Sequence, residues 1–369
     1  MYDISEVIIS PKPLKVQLTD NDLIIDWDEE THHRNIFPIS WLISHAYDEA
    51  AEKGDFHSKI ELCKQEEILW DTARIEAHSP EKHDFNSCRP LDRSDLSRQG
   101  CVEIYTLGFA VIKNMPLSEL NNFLSSIGPI PYTEGGHFYT VKSKPAANDI
   151  ADTGHALPPY TDYESYMYAS HLLQFLYFKA TNEDSTLVDG FRVAQDFQKH
   201  HPDYFQILVE TPAQFQQFYT EWKYYHRLDY FQILVETPAQ FQQFYTEWKY
   251  YHRRSRRIIE LDIKGEVSGV YFGNSHACNW DIPFDKMEKF YEAYSQFFRY
   301  LKSPEYQYHF RSEAEDCLMI QNFQVLHGRT AFDANSGSRH LEVSYVAWNY
   351  FTGREIFRQF QHLYLNENY

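Results

Sequence analysis

From about residue 155 to the C-terminus, short apolar runs of strand length recur between turn signals, at 171–180, 186–188, 258–262, 268–273, 317–326 and 341–348. Two longer stretches with helical spacing interrupt them, at about 190–210 and 284–302. Runs this short bury little alone; they gain stability by pairing into sheets that pack against a second layer. By periodicity alone the pattern reads as a mixed, β-rich domain. Upstream, residues 14–26 alternate apolar and polar, with Leu14, Val16 and Leu18, a polar turn at Thr19–Asp22, then Leu23 and Ile25. Two strands at that spacing begin a small β-rich N-terminal module. Residues 50–95 read as a charged helical stretch followed by a turn-rich linker. Phe109–Asn114 is an apolar strand, and Leu117, Leu120, Phe123, Leu124 and Ile127 have helical spacing. At 369 residues there is room for one large domain and a smaller one. The expected division is a small N-terminal domain over 1–95 and the main domain over 96–369.

Residues 203–227 read DYFQILVETPAQFQQFYTEWKYYHR, and residues 229–253 repeat them without a difference. Solenoid repeats diverge and need several copies, so this is no solenoid. It reads as a recent tandem duplication or a gene-model error. Two identical segments cannot fill one slot in a packed core. One copy is therefore expected as a surface excursion, and the sequence does not say which.

Bulk properties exclude several classes. Charged residues make up 24% and hydrophobic residues 43%, the balance of an ordinary globular protein. A net charge of −19 disfavours nucleic acid and anionic membranes as partners. The basic run Arg253-Arg254-Ser255-Arg256-Arg257 is short and reads as a solvated strand start. No stretch has the roughly 20 apolar residues of a membrane span, and the first residues lack a signal peptide's basic and apolar regions. Cysteines stand at 63, 88, 101, 278 and 317, odd in number and without a C-x-x-C pair. They read as reduced thiols in a cytoplasmic protein.

The chemistry concentrates near the C-terminus. His327-Gly328-Arg329 is followed, a strand and a turn later, by Arg339. A histidine on one strand can ligate a metal. An arginine beyond it can grip the distal carboxylate of a small diacid through two parallel hydrogen bonds. Non-haem iron oxygenases that use 2-oxoglutarate need such a cation together with a facial set of two histidines and one carboxylate. The upstream half of that set should read His-x-Asp. Here Tyr160-Thr161-Asp162 has the aspartate, with tyrosine in the histidine's place.

Several blocks in order carry a resemblance. They are Leu23-Ile24-Ile25-Asp26-Trp27 followed by Trp41-Leu42, then Gly108–Ile112, then Thr153–Pro158 running into Tyr160 and Asp162. After them come Asp184–Phe191, Ile258–Asp262 and the stretch from His327 to Trp348. From about residue 20 onward the chain resembles the gamma-butyrobetaine and trimethyllysine dioxygenases, a branch of the taurine-dioxygenase-like iron(II)/2-oxoglutarate oxygenases. The resemblance implies an α+β, mainly β fold: a double-stranded β-helix (jelly roll) with flanking helices beside the N-terminal domain. It implies that Asp162 and His327 are catalytic metal ligands, with Tyr160 in the first-histidine position. Arg339 and Ser185 would hold 2-oxoglutarate, although Asn182-Glu183 replaces a glycine pair. Tyr345, Tyr139 and Asp152 would line the substrate site, with Gly135 where another cage tyrosine is expected. Half an aromatic cage for a trimethylammonium group is thus missing.

Phenol, with a pKa near 10, has to lose its proton to ligate. Three outcomes follow for Tyr160: a lost ligand with weaker iron binding, a substitute donor from His155, His137 or His171, or a tyrosinate site. The family's cysteine-rich zinc site has no counterpart after Trp41-Leu42. The expected function is a divergent Fe(II)/2-oxoglutarate dioxygenase hydroxylating a small, possibly cationic, metabolite as a homodimer. The alternative is a catalytically impaired jelly-roll protein that binds a small molecule.

Overall fold

The computed structural model describes residues 12–28, 33–39, 42, 67–87, 102–133, 136–143, 150–162, 171–181, 184–218, 251–273, 282–332 and 339–353. The chain divides into two compact units, Met1–Glu66 and Glu67–Tyr369. This boundary lies upstream of the 95/96 division read from composition. The reason is visible at Trp70, whose side chain is fully buried. Its indole N–H donates to the Leu107 carbonyl at 2.8 Å, and its backbone N–H donates to Asp189 Oδ2 at 2.8 Å. Composition alone places Trp70 in the charged helical stretch ahead of the linker, and gives no sign of its burial against the second unit's own strands and helices.

The N-terminal unit contains an antiparallel sheet of three strands in sequential order, β1 (Pro13–Leu18), β2 (Asp22–Trp27) and β3 (Arg34–Pro38). Thr19 shapes the β1–β2 turn, because its hydroxyl accepts the Asp22 backbone N–H at 2.9 Å.

The second unit is built on two sheets. Its first strands are β4 (Lys82–Asp84), β5 (Phe109–Lys113), β6 (Tyr139–Lys142), β7 (Leu157–Tyr160), β8 (Leu172–Ala180) and β9 (Asp184–Asp189). They are followed by β10 (Pro212–Phe218), β11 (Tyr251–Arg257), β12 (Ile259–Leu261) and β13 (Val267–Val270). The last are β14 (Tyr308–Arg311), β15 (Cys317–Gln321), β16 (Val325–Arg329) and β17 (His340–Ala347). One sheet has the order β4-β5-β15-β8-β17-β6, the other β14-β9-β16-β7. All neighbours are antiparallel except β4 with β5.

Strand alternation sends side chains to opposite faces of each sheet. Leu187 and Val325 from the smaller sheet share one buried cluster with Leu172, Leu176, Leu318, Leu341 and Tyr345 from the larger. The opposite parity, Val188 and Leu326, packs on helices. Those helices are α3 (Gly190–His200), α4 (Pro202–Glu210) and α5 (Phe284–Leu301), after α1 (Thr72–His78) and α2 (Leu117–Ile127). Each fully buried aliphatic or phenylalanine side chain adds roughly 1.5–3 kcal/mol of transfer free energy. Both faces of the smaller sheet are thus held, one against the larger sheet and one under the helices.

Two elements differ from the sequence reading. The helix expected over 190–210 is two helices. Pro202, at the first position of α4, has no N–H to continue α3 and is well placed to start a new helix. The strand expected over 317–326 is two strands, β15 and β16, separated by a turn at Asn322–Gln324. The run is apolar only as far as Ile320; Gln321, Asn322 and Gln324 interrupt it where the two buried strands turn.

The first copy of the repeat supplies α4 and β10, burying Phe205, Leu208 and Ala213. The last three residues of the second copy, Tyr251-His252-Arg253, open β11. That strand pairs with β10 from Phe218↔Tyr251 to Pro212↔Arg257. Residues 219–250 lie outside the described residues, as do Trp41, Gly135, Asn182-Glu183 and four of the five cysteines. Cys317 is buried, and burial lifts its thiol pKa.

Candidate active site

His327 sits on β16, where its cross-strand partners are Tyr160 of β7 and Leu187 of β9. Arg329, two residues on, is paired with Ser185. Period-2 alternation therefore puts Tyr160, His327, Arg329 and Ser185 on one face, the face turned toward the larger sheet. Gly328 lies between the two site residues. A Cβ there would stand 2.4 Å from the Leu157 carbonyl oxygen. Only glycine lets β7 approach this closely, and β7 carries Tyr160.

Asp162 follows β7 and is fixed at its backbone by Asn322. The Asp162 N–H donates to Asn322 Oδ1 at 2.9 Å, and Asn322 Nδ2 donates back to the Asp162 carbonyl at 2.7 Å. Thr161, fully buried, is bound to Phe272 by its own N–H at 2.8 Å and accepts the Phe272 N–H at 3.0 Å. The Asp162 carboxylate is held from the larger sheet. Its Oδ2 accepts from Gln174 Nε2 at 2.5 Å and from the Tyr345 hydroxyl at 2.8 Å. Gln174 and Tyr345 are directly opposite one another on β8 and β17.

Asp162 Oδ2 lies 3.8 Å from His327 Nε2. The Tyr160 and His327 rings pack with centroids 4.4 Å apart. Burial pushes the His327 pKa down. Arg339 pushes it the same way, and Asp162 opposes both. His327 is therefore neutral near pH 7, as a ligand imidazole has to be.

The arginines form the other end of the site. Arg329 and Arg339 are both buried, and each donates to the Ala151 carbonyl at 3.3 Å. Arg329 also donates to the Thr153 carbonyl at 2.8 Å. Ser185 is bonded to Ser312 through their hydroxyls at 3.1 Å. Two guanidinium groups meeting one carbonyl make a strongly positive end, suited to a carboxylate.

Of the expected substrate residues, Tyr139 on β6 pairs with Val343 of β17 and so shares the face of Tyr345. Asp152 is buried and accepts the Lys142 N–H at 3.3 Å. The histidines considered as substitute donors are engaged elsewhere. His137 bonds the Ile130 carbonyl, His171 bonds the Ser268 carbonyl, and His155 is exposed. Among the described residues no group of three or more His, Cys, Asp or Glu side chains is arranged to hold a metal.

Of the three residues that the resemblance implies for iron, Asp162 and His327 are adjacent and of ligand type, whereas Tyr160 brings a phenol beside them. His327 Nδ1 is buried without a hydrogen-bond partner, whereas a metal-bound imidazole normally donates its other N–H to a fixing acceptor.

Arg329, Gln174 and Asn322 escaped the sequence reading. A signal existed for each. Arg329 has the parity of His327. Gln174 is the lone amide in the apolar strand Leu172–Phe178, at an inward position. Asn322 stands in the polar tract Gln321-Asn322-Phe323-Gln324, a turn signal between two apolar runs.

Comparison with known proteins gives a consistent result. Residues 72–345 match the model of the taurine catabolism dioxygenase TauD, TfdA family. The gamma-butyrobetaine dioxygenase of Homo sapiens is 30% identical over 246 residues, covering 65% of this chain and 57% of that protein. The chain therefore spans little more than half of that relative's length. The gamma-butyrobetaine dioxygenase of Pseudomonas sp. strain AK-1 is 26% identical, over 91% of this chain and 79% of the relative. The trimethyllysine dioxygenase of Meyerozyma guilliermondii is 24% identical, over 93% and 80%. A solved taurine dioxygenase from Burkholderia xenovorans has a TM-score of 0.46 at 12% identity, covering 70% of this chain and 83% of its own.

Proposed function

The chain belongs to the taurine catabolism dioxygenase TauD, TfdA family, and from that premise we propose that it is a divergent Fe(II)/2-oxoglutarate-dependent oxygenase of the double-stranded β-helix type, acting on a small cationic metabolite. Its relatives are named for gamma-butyrobetaine and trimethyllysine, both of which carry a quaternary ammonium group. One observation carries the reading: His327 and Arg329 share a strand face, with Asp162 3.8 Å from the histidine and Arg339 meeting Arg329 at Ala151. A metal-type donor pair and a dianion-type arginine pair then lie one strand step apart, about 7 Å. A dicarboxylic co-substrate can span that distance.

In this reading Asp162 and His327 hold the iron, which when bound supplies oxygen activation. Arg339, aided by Arg329 and Ser185, orients the co-substrate by its far carboxylate. Gln174, Tyr345 and Asn322 keep Asp162 in place. A second reading, a binding protein without turnover, is favoured by the phenol of Tyr160 and the unpartnered His327 Nδ1.

Anaerobic titration with Fe(II) and 2-oxoglutarate tests both. Wild type is expected to bind iron weakly, and Tyr160→His at least tenfold more tightly, because a neutral imidazole joins the set. Unchanged affinity in Tyr160→His would mean that another group already completes the site. Arg339→Ala is expected to weaken 2-oxoglutarate binding by at least tenfold, the scale of a lost charge-assisted pair. Equal affinity by calorimetry removes the co-substrate assignment. Wild type that binds neither iron nor 2-oxoglutarate leaves only the binding-protein reading.

A further inference from the structure

We propose that Gln174 is a specificity residue that selects a cation bearing N–H groups, a primary or secondary ammonium, over a quaternary one. The inference rests on the reading of the site as a pocket for a small cation. Gln174 is fully buried in the middle of β8. Its amide orientation is fixed by its neighbour. Turned the other way, Oε1 would stand 2.5 Å from a carboxylate oxygen, two acceptors in contact, so Nε2 faces Asp162. Oε1 is then a buried acceptor without a hydrogen-bond partner. A buried amide oxygen left unpaired is costly, and strand interiors built for packing alone use Leu or Val instead. The flanking inward residues Leu172 and Leu176 are of that kind.

The amide therefore presents an acceptor beside the Asp162 carboxylate, with the Tyr345 hydroxyl 3.5 Å from its nitrogen. A quaternary ammonium has only methyl groups to offer. It gains from aromatic faces, but it leaves Oε1 unpaired and desolvated. An ammonium with N–H groups donates one of them to Gln174 Oε1. Specificity of this kind arises because the wrong ligand strands a buried polar group.

The test uses the full chain and two ligand pairs: 4-aminobutyrate against gamma-butyrobetaine, and lysine against trimethyllysine. Binding is measured by calorimetry with 2-oxoglutarate present and oxygen absent. In at least one pair, wild type is expected to bind the N–H member about tenfold or more tightly than the trimethylated one. Gln174→Met keeps the volume and removes the acceptor, so that preference is expected to vanish. Tyr345→Phe loosens Asp162 but keeps both the ring and the Gln174 amide. It is expected to weaken both members together and leave their ratio intact, which a purely structural role for Gln174 would not separate. A wild-type preference for the trimethylated member, or an unchanged ratio in Gln174→Met, overturns the assignment of Gln174 alone. Failure of wild type to bind any of the four overturns the cation-pocket reading and this inference with it.

Discussion

The active-site face and the repeat answer to sequence in opposite ways. On β16 and β7 the backbone is held from several sides: by strand pairing, by the Asn322–Asp162 bonds and by the close contact at Gly328. There one side chain, a phenol where an imidazole is expected, decides what chemistry is open to the site. At the repeat, every side chain is the same in both copies. The first supplies α4 and β10, while the second gives its last three residues to β11. The slot beside α3 and α5 is filled by the first copy, through Phe205, Leu208 and Ala213, and Pro202 before that copy is a good helix start; residues 229–250 lie outside the described residues.

The sharpest way to break this comparison is to cut the same side chain from each copy. Phe205→Ala is expected to lower unfolding free energy by about 3–5 kcal/mol, and Phe231→Ala by less than about 0.5 kcal/mol, read from denaturant midpoints. Equal losses would erase the distinction between the copies. Two small losses with a large one in the double variant would mean that either copy can fill the slot.

Gly328→Ala sharpens the other side. The added methyl meets β7 backbone, so an overpacking cost of about 1–3 kcal/mol is expected, with weaker iron binding as Tyr160 and Asp162 are displaced. A variant with wild-type stability and affinity would show that β7 yields freely, and the rigid account of the site would be lost.

The smallest effect is a gain. Deleting residues 203–228 leaves one full copy, 229–253, and is expected to keep the β10–β11 register, since residues 238–244 repeat 212–218 and Tyr251 remains. The connection that now runs from 219 to 250 shortens to the equivalent of 219–224. Loop closure at about 0.6 kcal/mol per doubling of length predicts stabilisation of about 1.5 kcal/mol, with a higher Tm and no change in iron affinity. A deletion variant that fails to fold would show that both copies belong to the packed structure.

Much of this was legible in the chain itself. Apolar spacing located α2 from Leu117 to Ile127, and alternation located β1 and β2, because a surface element carries its period in its own residues. His327 and Arg339 stand a strand and a turn apart, and Asp162 was placed by the resemblance to the family's His-x-Asp block. Strands buried on both faces lose that signal. Reading 317–326 as one strand passed over the polar residues Gln321, Asn322 and Gln324, and with them the residue that pins Asp162. Gln174 and Arg329 gained their meaning only when β8, β16 and β17 were brought together in space. The sequence alone determined the types of groups available: one imidazole, one carboxylate, a phenol and two guanidinium groups. The tertiary structure decided which of them meet. Those outcomes depend on burial and on contacts between residues far apart in the chain, which no local pattern encodes.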